Sequence, residues 1–131
     1  MELLHKAIPN HKHDVESLQV LRGLDIEQVQ LILPQLMEWL QDINWPVAQS
    51  LSKTLAEYGF VLLPYIRSVL NSGDTQWQYS IMVALIRQLP KDVSVLLEED
   101  LLRIALQPTN AEALDDLPIL AKETVEYIKS L

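Results

Sequence analysis

The chain contains no cysteine. That absence excludes disulfides, thiolate nucleophiles and cysteine-ligated metals, and it suits a reducing compartment. Glycine occurs only three times, and no glycine-rich loop of the phosphate-cradling kind is present. The three histidines (His5, His11 and His13) all fall in the first thirteen residues, so the rest of the chain has no imidazole to act as base or ligand. No apolar run approaches the roughly 20 residues of a membrane span. Met1 to Pro9 has one lysine and few apolar residues, short of a secretory signal. Together these absences set the expectation of a cytoplasmic protein with no membrane contact.

Basic residues are scarce too. The formal charge is −8 and the pI about 4.7, a balance that repels phosphate backbones and argues against nucleic-acid binding. Between Asp92 and Asp116 there are seven acids (Asp92, Glu98, Glu99, Asp100, Glu112, Asp115 and Asp116) against one base, Arg103. Acids near helix N-termini satisfy free amides and the macrodipole, which accounts for such a run structurally. The functional reading is a patch for a basic partner.

What the chain does have is helical patterning. With 131 residues and 49% apolar side chains, it can bury a core without staples. Residues 1–12 show no sustained period and read as a loose N-terminal segment. Asp14 reads as the cap of a short helix that stops at a left-handed Gly23, and Asp25 with Gln28 as a capping box. Pro34 interrupts the next apolar run, so a kink or a fresh start is expected near Leu33. Leu33, Leu36, Met37, Leu40 and Ile43 then mark one helix face. Val47, Leu51, Leu55 and Tyr58 mark a second, closed by Gly59, and Leu62, Leu63, Ile66, Val69 and Leu70 a third. Ile81 to Ile86 is apolar at every position, as expected of the most enclosed helix. A helix from Val93 to Leu106, broken near Glu98, follows Pro90. Thr109 with Glu112 makes a capping box, and Asp116 is expected to cap the last helix. No run alternates as a strand would, so the chain reads as all-α with six to seven helices.

Two helical hairpins superpose in sequence. Leu33-Pro34 matches Leu63-Pro64 and Leu40 matches Leu70, while beyond a corner two residues longer Trp45 matches Trp77 and Leu51 matches Val83. A period of about 30 residues with two helices per unit marks an α-solenoid, in which units stack to bury faces that none can bury alone. The pattern resembles the HEAT repeat, with Asp42 and Asp74 as the corner aspartates and Val47 as the following valine. Ala48 replaces the usual arginine, so no ladder of Asp–Arg contacts is expected. Ile8-Pro9 with Asp14, the run from Trp39 to Ala48, Asp74-Thr75-Gln76-Trp77 and Pro108-Thr109 together resemble a bacterial family, domain of unknown function 5071. The resemblance implies a compact single domain over residues 1–131, built as a short HEAT-like α-α superhelix, and implies no reaction. Gln78 stands where the resemblance implies lysine.

The corners hold half of the eight aromatic residues in Trp39, Trp45, Trp77 and Tyr79. Indoles there can wedge neighbouring hairpins together. Alternatively, they line a partner-binding groove with Asp42, Asn44 and Asp74 as polar anchors. Asp42 also reads as a corner acceptor and Asn44 as an N-cap. The histidines, with Asp14 and Glu16, offer no rigid face for a metal. Serines such as Ser50, Ser52, Ser68 and Ser80 lack both a nucleophile elbow and a histidine to activate them. Solvated carboxylates keep ordinary pKa values unsuited to acid–base work near neutrality. The expectation is therefore not an enzyme, with no cofactor and no metal. It is a protein-interaction module for a protein or peptide partner, with an immunity-type protein that neutralises a basic toxin as the alternative.

Overall fold

The computed structural model describes residues 2–131, and among them there is no strand. The helices are α1 (Glu2–Lys6), α2 (Ser17–Arg22), α3 (Ile26–Glu38), α4 (Pro46–Ala56), α5 (Leu63–Leu70) and α6 (Thr75–Ser80). They continue with α7 (Lys91–Ser94), α8 (Glu98–Leu106), α9 (Asn110–Leu114) and α10 (Leu117–Ser130). The fold is all-α. From α6 the chain runs on without a turn through a wide π segment, Ile81–Leu85, and a tight 3₁₀ turn, Ile86–Gln88. A second 3₁₀ turn, Val95–Leu97, joins α7 to α8, where the sequence predicted a break near Glu98. The seven longer rods (α2, α3, α4, α5, α6 with its extension, α7–α8 and α10) are joined by two five-residue helices, α1 and α9, beyond the six to seven expected.

The rods pair and stack in two layers. One layer packs α1 on α3, α3 on α5 and α5 on α8, and the other packs α2 on α4, α4 on the π segment and the π segment on α10. Each hairpin thus lends one helix to each layer, which fits the HEAT-like arrangement. One apolar core runs through the stack from Leu4 to Ile128. Ile81, Met82, Leu85 and Ile86 are fully enclosed. Their rod lies between α4 and α10, so an apolar surface all round has neighbours to meet.

Residues 2–12 are not a loose segment. Leu4, Ala7 and Pro9 are buried, and α1 with α2 forms a short first hairpin on α3 and α4. One turn of helix carries no readable period, so the sequence gives no warning of this docking. Pro34 starts nothing new either. It sits inside α3 on the solvent side, as does Gln30, so the carbonyl that loses its amide donor is open to water. Gly23 closes α2 with φ −84° rather than in the left-handed region, whereas Gly59 and Gly73 do adopt positive φ. Asp116 precedes α10 with φ 58° and makes no cap bond. An N-cap side chain bonds the second or third amide of its helix, and the second residue here is Pro118, which has none.

Leu85→Ala should lower unfolding free energy by about 2–5 kcal/mol in urea titrations. Leu31→Ala, on the solvent face of α3, should change it by no more than about 0.5 kcal/mol.

Candidate functional site: two corners and the last hairpin

The first corner leaves α3 at Leu40, which is buried. The Asn44 amide donates to Asp42 Oδ1 at 2.8 Å and the Trp45 amide to the Asp42 carbonyl at 3.1 Å, closing a tight turn. Asp42 is therefore a corner acceptor, as its sequence position suggests. Asn44 is exposed and is not the N-cap, a place taken by Trp45 with an extended backbone ahead of Pro46. Proline at the first helical position fixes the start one residue later than Asn44 could cap. The Val47 amide donates instead to the Lys12 carbonyl at 2.9 Å, which laces the N-terminal segment across the corner. Trp39 and Trp45 are half-buried against the core, their ring centroids 5.6 Å apart and tilted by 58°.

The second corner uses other chemistry. Gly73 takes φ 79°, and Asp74 caps α6 by accepting from the Trp77 amide at 3.1 Å. Trp77 is half-buried, and its indole nitrogen is enclosed without a protein partner. Tyr79 is exposed and lines a groove of about 220 Å³ with Thr75, Gln76, Asp115 and Leu117. A second groove of similar volume lies between α4 and the π segment, lined by Ile43, Gln49, Ser52, Val83, Ala84 and Gln88. The two corners are linked by Ser80, whose hydroxyl donates to the Gln41 carbonyl at 3.3 Å. Thus Trp39, Asp42, Asn44 and Trp45 share one corner, Asp74 and Trp77 share the other, and Tyr79 opens onto a separate groove.

Sequence reasoning missed the polar cluster beneath the second corner. Gln78 is fully buried, and its Nε2 donates to the Leu70 carbonyl at 2.7 Å and to Glu112 Oε2 at 2.6 Å. Glu112 is 1% exposed and takes a two-pronged pair from Arg103, at 2.8 and 2.7 Å. Arg103 also donates to the Leu70 carbonyl at 3.1 Å and to Asn71 Oδ1 at 3.0 Å. Asn71 in turn donates to Asp100, which is paired with Arg67 at 3.2 Å. The available signals were a single base in an acidic run and the Thr109–Glu112 capping box, which does form. Neither signal links positions 103 and 112 to 78.

The Arg103 hydrogen bonds hold the Glu112 carboxyl down at about 2, against burial, with help from the Thr109 amide and Gln78. The same pair raises Arg103. A carboxylate so held stays ionised near neutrality and neither gives nor takes a proton there. Burial raises the Tyr58 phenol, whose hydroxyl donates to the Leu21 carbonyl at 3.5 Å. Among the described residues no group of three or more His, Asp or Glu converges as metal ligands would.

The acidic run divides in two. Glu112 and Asp100 are tied to cations, while Asp92, Glu98, Glu99, Asp115 and Asp116 are not ion-paired among the described residues. Glu98, Glu99 and Asp100 occupy the first turn of α8, and Asp92 that of α7, where helix ends favour them. Alongside these acids the last hairpin exposes large aliphatic side chains: Leu106 at 76%, Leu114 at 82% and Ile119 at 63%.

Stacked helical hairpins with a bolted interior define an all-α protein, and the stacking fits a short solenoid. The family model described as domain of unknown function 5071 matches residues 7–125, so the chain belongs to that family. No curated protein matches it.

Glu112 has its ordinary pKa, about 4.5, in the unfolded chain and about 2 in the fold. The stability it contributes is complete above 4.5 and drains away as pH falls from 4.5 towards 2. Glu112→Gln should remove that pH dependence and cost about 2–3 kcal/mol at pH 7. That is less than a fully enclosed pair would cost, because Arg103 keeps 30% of its side chain in water. Urea titrations at pH 7, 4 and 3 measure both effects.

Proposed function

We propose that the protein is a protein-binding module, not an enzyme, which works in the bacterial cytoplasm and takes its partner on the last hairpin. One observation carries this reading. Of the twelve large apolar side chains exposed among the described residues, seven (Val95, Leu96, Leu102, Leu106, Leu114, Ile119 and Leu131) lie from Val95 onward. Single exposed leucines need no explanation, but a concentration of them over the last helices of the chain supports a contact surface there. In this reading Trp39, Trp45 and Trp77 are wedges that hold the hairpins in register, and the corners frame the stack without meeting the partner. That no helix among the described residues is long and apolar enough to cross a membrane is compatible with the proposed setting.

The second reading, an immunity-type protein that neutralises a basic toxin, is favoured by the acids left without a cation between Asp92 and Asp116. Charge of one sign speeds encounter with a partner of the other and rejects nucleic acid. The two readings share a surface and differ in the partner's biological role.

Affinity capture from the native cell tests the module. The full chain should retain a reproducible partner that is reduced at least fivefold when Leu106, Leu114 and Ile119 are all changed to Ser, while Leu31→Ser leaves capture intact. Equal capture by the triple variant, read by quantitative mass spectrometry, would place the contact elsewhere.

A further inference from the structure

We infer that the outer face of the rod made by the Val95–Leu97 turn and α8 is a docking ridge for a basic amphipathic helix of a partner protein. This rests on the protein-binding reading and names the partner's chemistry.

At about 100° per residue, the buried positions Leu97, Leu101 and Ile104 define the inner face of the rod that ends with α8. Val95, Glu99, Leu102 and Leu106 fall on the opposite side and are exposed. From Val95 in the 3₁₀ turn to Leu106 at the end of α8 the apolar members span about 16–18 Å, three turns of helix. Three turns form a ridge of the kind that interlocks with another helix. Strand addition has no template, because the described residues include no sheet edge. The occupant is therefore a helix with an apolar stripe.

Its charge follows from the flanks. Glu98 borders the ridge and Glu99 stands on it, and among the described residues neither has a cationic partner. Arg103, four residues on from Glu99, is spent on Glu112, and Arg67, which donates to the Leu96 carbonyl, on Asp100. A second copy of this chain fits badly: a symmetric contact would set Glu98 and Glu99 against themselves between bodies of charge −8 each. Lysine or arginine beside the partner's stripe answers that charge, so the partner is a separate, basic helix.

A synthetic Leu/Lys amphipathic helix of about 14 residues is the ligand for the test, titrated by fluorescence anisotropy against the full chain. A scrambled peptide of the same composition and a Leu/Glu version serve as controls. The Leu/Lys helix should bind, with at least tenfold weaker affinity for Leu102→Ser with Leu106→Ser. Affinity for Glu98→Gln with Glu99→Gln should fall about threefold and lose part of its salt dependence. Leu102, Leu106 and Glu99 are exposed and Glu98 is half-buried without an ion pair, so circular dichroism should show unchanged folding. Equal binding of the scrambled peptide, or indifference to the leucine pair, would overturn the proposal. So would a dimer in sedimentation equilibrium that the leucine pair dissolves. If cellular capture depends on Leu106, Leu114 and Ile119 while no Leu/Lys helix binds, the partner's chemistry is wrong and the module stands.

Discussion

A pair of antiparallel helices has an apolar stripe on each member that the pair cannot cover by itself, and the architecture follows from that deficit. Burial of a leucine contributes about 2 kcal/mol, so a hairpin that leaves several in water gains little from folding alone. The solution is the row in which α3, α5 and α8 lie side by side in one layer, with α4, the π segment and α10 in the other. The small α1–α2 hairpin closes one side with Leu4, Ala7, Leu18 and Leu21 turned inwards. The last hairpin is covered by α5 and the π segment on one side only, and its other side holds Leu102 and Leu106 in solvent.

Stacking creates a second demand. Carbonyls at and just beyond the end of each first helix lack intrahelical donors. The chain meets this with a side-chain bolt near each corner. Ser80 donates to the carbonyl of Gln41, and Gln78 and Arg103 donate to that of Leu70. Once Arg103 is drawn inwards it needs a counter-charge, and Glu112 provides it from the first turn of α9. Such a cluster adds little net stability compared with apolar packing, but each member is costly to remove alone. Its effect is on register, because a shift of α8 against α5 by one residue would break the Arg103, Asn71 and Arg67 bonds together.

Features carried by short-range chemistry were legible in the sequence. The capping boxes at Asp25–Gln28 and Thr109–Glu112 form as spelled, and the apolar run Ile81–Ile86 lies deepest. The family resemblance rests on motifs from Ile8-Pro9 to Pro108-Thr109, the string from Trp39 to Ala48 above all, and the family match covers residues 7–125. Features decided by tertiary context were not legible. Pro34 and Pro64 look equivalent in sequence, yet one sits inside α3 and the other in the first turn of α5, because only the environment of the lost amide tells them apart. The burial of Leu4 and Ala7 depends on helices that a one-turn segment cannot announce. Gln78 and Glu112 are 34 positions apart, and no local pattern pairs them.

The contrast between acids and leucines in the last hairpin bears on what that surface is for. Nearly every acid there has a structural reason: Glu112 and Asp100 hold arginines, Asp115 accepts from the Thr75 hydroxyl, and Asp92, Glu98 and Glu99 sit in first helical turns. Asp116, left-handed at a turn that aspartate tolerates, is the exception. Leu102 and Leu106 have no such reason. Lysine or glutamine would support the helix about as well at both positions without exposing apolar surface. On the proposed reading the leucines call for a partner, and the acids, present to start helices and anchor arginines, select the sign of its charge.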